Sequence, residues 1–92
     1  MLYNLYMKLW ATLHTDKQIT ASCRCSSSEQ DAAEAIAECL GEACKTLDIS
    51  EPVWLKKHAR ELVAFRRTKF FAHDFIDSVN FDYMEIEYTL DD

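Results

Sequence analysis

Four cysteines, Cys23, Cys25, Cys39 and Cys44, stand in a C-x-C and then a C-x4-C spacing. Four thiolates in a tetrahedron are what a structural zinc ion takes, but this spacing works against it. Cys39 and Cys44 lie five apart in a run that reads as helix, about 140° round the axis, so they diverge. Cys23 and Cys25 point to one side of a strand. The four read as buried apolar thiols. Two nitrogen-and-oxygen sets come next, His58 with Glu61 and His73-Asp74 with Asp77. Imidazole and carboxylate suit a transition metal, yet sixteen acids in the chain make such neighbours common by chance. His58 borders an apolar face, where a hydrogen-bonded structural histidine fits, and Asp74 fits as the cap of a short turn. Ser26, Ser27 and Ser28 read as a helix cap and not as nucleophiles. Glu85 and Glu87 share one side of a strand, as any pair two apart does. No catalytic residue, metal ligand or cofactor is assigned, and the chain reads as a binding protein rather than an enzyme.

Two groups point instead to a partner. Lys56, Lys57, Arg60, Arg66, Arg67 and Lys69 are six of the ten basic residues, and only Glu61 opposes them, so the segment carries +5 in a chain of −6. Arg presents a fork suited to phosphate or carboxylate, which makes this a candidate surface for an anionic partner. The alternative is a solvated helix face that pairs with the acidic face of the preceding helix. Tyr6, Trp10 and Tyr83 form the second group. They fall on strand positions opposite the apolar ones, which makes them a candidate aromatic interface. A stacking platform for single-stranded nucleic acid is the sharper version, with Glu85 and Glu87 nearby to repel phosphates.

The elements that position these residues follow from periodicity. Leu5, Met7, Leu9, Ala11 and Leu13 alternate with polar residues, as do Ile19, Ala21 and Cys23, which predicts a β-hairpin turning near Asp16. Ser26 with Glu29, or Ser27 with Gln30, has the capping-box spacing. Ala32, Ile36, Leu40, Ala43 and Leu47 then recur at helical spacing opposite Asp31, Glu34, Glu38 and Glu42, an amphipathic helix ending near residue 47. Pro52 suits the first turn of a second helix, whose apolar face holds Leu55, Ala59, Leu62 and Val63 and which ends near Phe65. Residues 69–79 read as irregular or a short turn. Met84, Ile86, Tyr88 and Leu90 alternate with Glu85, Glu87 and Thr89 as a last strand. The expected fold is α+β in the order β-β-α-α-β: a three-stranded, mainly antiparallel sheet with both helices on one face. The first strand would be central, and the Gln18 strand and the acidic last strand would form the edges.

Ninety-two residues, 49% hydrophobic with one Gly and one Pro, make a single domain (1–92) with an ample core and no glycine-rich phosphate loop. The apolar start is interrupted by Asn4 and Lys8. It lacks a charged lead for a secretory signal and is too short for a bilayer. A cytoplasmic protein with reduced thiols is the expectation, with no membrane association. The run Pro52-Val53-Trp54-Leu55-Lys56-Lys57-His58, with Phe81-Asp82-Tyr83-Met84-Glu85-Ile86-Glu87, resembles a family of small uncharacterised bacterial proteins. The resemblance spans about the C-terminal half and implies a free-standing small bacterial protein, with no activity attached.

Three readings stand at this point. The first is a protein-interaction module that binds another protein or itself through the aromatic sheet face. The second is a nucleic-acid binder using the Lys56–Lys69 segment, against which a pI of 4.9 weighs. The third is a metal protein or enzyme built on His58 and His73. No small-molecule ligand is inferred.

Overall fold

The computed structural model describes residues 6–29 and 31–91, with the side chains of residues 7–29 and 31–90. Strands β1 (Tyr6–Thr15) and β2 (Gln18–Ser27) are followed by helices α1 (Ala32–Leu47) and α2 (Lys56–Phe65). Strand β3 (Arg67–Phe71), a single 3-10 turn at Ala72–Asp74 and strand β4 (Tyr83–Asp91) complete the chain. The sheet is antiparallel in the order β2-β1-β4-β3.

Strand β1 is central because its alternation buries one side only. Met7, Leu9, Ala11 and Leu13 are all buried, and each such side chain contributes roughly 1.5–3 kcal/mol when fully withdrawn from water (less for Ala). In register, Ala11 lies between Cys23 and Ile86, with Thr68 beyond, and Leu13 lies between Ala21 and Met84, with Phe70 beyond. These residues form one sheet face. Helix α1 covers its β2–β1 half and α2 packs on β3, so both helices lie on the same side. The hairpin turns where the sequence indicates. Asp16 and Lys17 both have positive φ (51° and 66°), as a two-residue type I′ connection requires. The Asp16 N–H donates to the Asp82 carboxylate at 2.9 Å, which ties the turn to the start of β4.

The sheet has four strands, not three. Arg66 adopts the left-handed conformation (φ 60°) at the end of α2, which reverses the chain directly into β3. Thr68 and Phe70 then face the core while Arg67, Lys69 and Phe71 face out. This alternation spans five residues and carries a Thr on its buried side, so it does not stand out as a strand in the sequence. Because β3 adds to its far side, β4 is an inner strand. The edges are β2 and β3, not β4, and the outward Arg67 and Lys69 discourage edge-to-edge pairing at β3.

Both helix starts also differ from expectation. Ser26 and Ser27 stay in β2, paired with Lys8 and Met7, because the long β1 continues to offer hydrogen bonds. The N-cap of α1 is Asp31, whose carboxylate accepts from the N–H groups of Ala33 (2.9 Å) and Glu34 (3.4 Å). Pro52 is buried in the connection, and α2 begins at Lys56. Its first turn is closed by His58, whose Nδ1 accepts from the Leu55 N–H at 3.0 Å. Helix α1 ends on Asp48 at φ 58°, its N–H donating to the carbonyls of Cys44 and Lys45.

The two cap assignments separate by mutation. Asp31→Ala should lower stability by about 1 kcal/mol, read as a reduced urea midpoint. Ser26→Ala, on an exposed strand position, should change it by less than about 0.5 kcal/mol.

Candidate functional site

Of the two histidine-and-acid sets in the sequence, both histidines meet at one residue, Asp74, while Asp77 lies apart, near Asp48 and Ser50. His58 is fully buried, with its Nε2 3.6 Å from Asp74 Oδ2. His73 is exposed and its Nε2 lies 3.7 Å from Asp74 Oδ1. Asp74 Oδ2 accepts from the Phe71 N–H at 2.9 Å, and the Asp74 carbonyl accepts from the Val53 N–H at 2.8 Å. Glu61 is elsewhere: it accepts from the Thr68 hydroxyl and stitches α2 to β3. The His58–Asp74 contact therefore joins the Pro52 connection, the start of α2, the end of β3 and the 3-10 turn. Since Nδ1 accepts a hydrogen bond from the Leu55 N–H, the neutral ring carries its own proton on Nε2, on the side of Asp74. Burial holds the His58 pKa below its ordinary 6.5, with Lys57 acting in the same direction and Asp74, Glu61 and the Lys69 backbone opposing. Among the described residues, no group of three or more His, Cys, Asp or Glu side chains could hold a metal ion.

The cysteines gather between β2 and α1. Cys39 and Cys44 are buried, Cys23 and Cys25 half-buried, and all four are free thiols. Burial, then the adjacent Cys25 thiol, pushes Cys39 up to about 12. Burial, with Glu51 and Cys23 nearby, pushes Cys44 up to about 11. A thiolate is the reactive form, so this arrangement makes the inner pair inert.

The basic segment divides between two sides of the molecule. Lys56 and Arg60 are exposed on α2, and Arg66 is exposed at its end. Arg67 and Lys69 point to the sheet face away from the helices, opposite Glu87 and Glu85 in register. Lys57 turns toward the same region, its Nζ 5.9 Å from the Phe71 ring centre. The described residues show no ion pair between this segment and α1, whose acids lie across a gap.

Among the described residues, no helix covers that outward sheet face. Trp10 and Tyr83 share it, as the alternation predicts, but four residues apart in register: Trp10 is opposite Glu87, and Tyr83 is opposite His14. The side chain of Tyr6 lies outside the described set. Tyr83 belongs to an aromatic row. His14 stacks on it at 4.4 Å and 12°, Phe71 lies 5.7 Å away, and His73 stacks on Phe71. Lys69 Nζ sits 4.7 Å from the Tyr83 ring centre. Trp10 has its own cation, Arg24, at 5.6 Å. A shallow hollow of about 480 Å³ is lined there by Lys8, Trp10, Arg24, Cys25, Ser26 and Thr89. Lys8 and Arg24 are additions to the candidate surface. Arg24 shares the parity of Thr20 and Ser22, and extending that alternation would have found it.

The helix side holds a second feature that the sequence reading missed. Helices α1 and α2 cover separate parts of the sheet, and between them runs an apolar groove of about 450 Å³. Ala33, Ile36, Trp54, Ala59, Leu62 and Val63 line it, and its floor is Tyr88, whose hydroxyl donates to the Leu62 carbonyl at 3.3 Å. Val63 is 83% exposed, although its spacing with Ala59 and Leu62 marks it as core.

The fold and these surfaces define an antiparallel α+β domain with two uncovered faces. Comparison with known proteins finds no matching family model, no matching curated protein and no matching solved structure. No helix among the described residues is long and apolar enough to cross a membrane.

Two measurements follow from the buried groups. With the folded pKa of His58 below 6.5, the unfolded chain binds the extra proton first as pH falls. Its contribution is present above pH 6.5 and is lost as pH drops toward the folded value. Protonated Nδ1 also loses the Leu55 hydrogen bond. Urea midpoints should fall through this window in the native chain, and His58→Gln should remove that part of the fall. In the native state a thiol-alkylating reagent should modify Cys23 and Cys25 first, with Cys39 and Cys44 reacting only on unfolding, read by peptide mass mapping.

Proposed function

We propose that this protein is a protein-interaction module that self-associates through the groove between α1 and α2. The observation that carries the reading is an apolar surface with no cover: Val63 is 83% exposed, Leu55 46% and Trp54 38% at or beside the groove. Exposed apolar patches of this kind, rimmed by charge, are typical of docking sites.

A second copy is the occupant that the rims favour. Beyond the groove lining, exposed Glu34 lies one turn from Ala37 on α1, and exposed Lys56 and Arg60 lie one turn from Ala59 and Val63 on α2. A two-fold axis running along the groove sets the α1 rim of one protomer against the α2 rim of the other, so acid meets base twice. Such an isologous contact satisfies itself with one surface. The aromatic sheet face supports association less well, since Trp10 and Tyr83 are separated there and each is already paired with a cation.

Sedimentation should find a dimer that Val63→Glu converts to a monomer, with folding stability within about 0.5 kcal/mol because the side chain is exposed. Glu34→Arg and Arg60→Glu should each weaken the dimer, and the double reversal should restore it. A native chain that stays monomeric at millimolar concentration would refute the reading.

A further inference from the structure

We propose that the open sheet face binds single-stranded nucleic acid, with Arg24, Arg67 and Lys69 meeting phosphates and with a base stacked at Trp10. The sequence sets Glu85 and Glu87 against this chemistry, and the register removes that objection. Each glutamate lies opposite a cation, Lys69 and Arg67 respectively. Besides Lys8, which already has a contact of its own, Arg24, Arg67 and Lys69 stand against two carboxylates among the described side chains of the strands on this face, and Lys57 adds another cation at the border. Asp16 and Asp82 lie at the hairpin end, away from the Trp10 hollow.

The overall charge of −6 does not oppose binding here. The acids of α1 (Glu34, Glu38 and Glu42) lie beyond the sheet, and electrostatic influence decays within about 8 Å at physiological ionic strength. The face thus presents a local field of opposite sign to the chain. It also sets Arg24 beside the Trp10 ring. A base that stacks on Trp10 has its phosphate beside this cation, which is the combination that non-specific single-strand binders use. Tyr83 is already filled, with His14 stacked on it and Lys69 over it. The hollow at Trp10, about 480 Å³, is of nucleotide size, and the Ser26 and Thr89 hydroxyls there are donors for phosphate or sugar. An acidic peptide would use the cations but leave the Trp10 ring idle.

The test is fluorescence anisotropy of a labelled short oligothymidine with the full chain. Binding should be measurable at about 50 mM salt and fall steeply toward about 200 mM as counterions are released. Trp10→Ala should weaken it about 5- to 150-fold, the usual effect of losing one stacked base. Arg24→Glu and Lys69→Glu, both at exposed positions, should weaken it and flatten the salt slope by about one per cation removed. Val63→Glu should leave affinity unchanged, which keeps this face separate from self-association at the groove. Absence of binding at low salt overturns the proposal. So does equal competition by polyglutamate, preference for duplex, or sensitivity only to Lys56→Glu and Arg60→Glu.

Discussion

One-sided burial of β1 is the constraint from which the rest of the architecture follows. Met7, Leu9, Ala11 and Leu13 can leave water only if both neighbouring strands keep register with them, because a slip of one residue would turn Lys8 and Trp10 into the core. That demand fixes β2 on one side and β4 on the other. It also sets the buried apolar positions of the sheet on a single face, where the two helices must lie. Two short helices cannot cover a four-stranded face completely. The groove between them and the bare outer face are the geometric remainder of that packing.

Within this frame the polar residues that look most like chemistry serve as joints. His58 and Asp74 are buried together where four segments meet, and the backbone N–H groups of Leu55, Phe71 and Val53 are satisfied there. A buried amide without a partner costs about 1–3 kcal/mol, so a His and an Asp that close two chain turns suffice to explain their positions. The four thiols have a similar account. They line the seam between β2 and α1, where small apolar groups let the helix approach the strand.

Much of this is legible in the sequence, and the failures share a cause. The alternation of β1, the Asp16 turn, the helix from Ala32 to Leu47, the end of α2 at Phe65 and the last strand all follow from period alone. What period cannot supply is competition between neighbours. Ser26 and Ser27 have the spacing of a cap, but β1 is long enough to hold them as strand, and the cap passes to Asp31. Arg66-Arg67-Thr68-Lys69 looks like a charged exit because its buried members are one Thr and one Phe. The turn into β3 depends on a left-handed Arg66, a conformation that residue type does not announce. The basic segment consequently read as one surface, whereas the reversal at Arg66 sends Lys56 and Arg60 to one side of the molecule and Arg67 and Lys69 to the other. Trp10 and Tyr83 were assigned to the right face, yet their separation is a matter of register, which no single strand contains.

The same reversal gives the domain its two-sided character. A chain that is acidic overall keeps Glu34, Glu38 and Glu42 on α1 and sends part of its basic block through the sheet to the far face. Pairing at the groove would place two sheets back to back with their open faces outward, on the order of 30 Å apart across three layer spacings of about 10 Å each. The faces would then act as separate sites for short strands and as a linked pair for a strand long enough to pass round the dimer. In the second case each contact raises the effective concentration for the next. Weak individual stacking would then suffice for firm attachment, and affinity would depend on strand length far more than on base sequence.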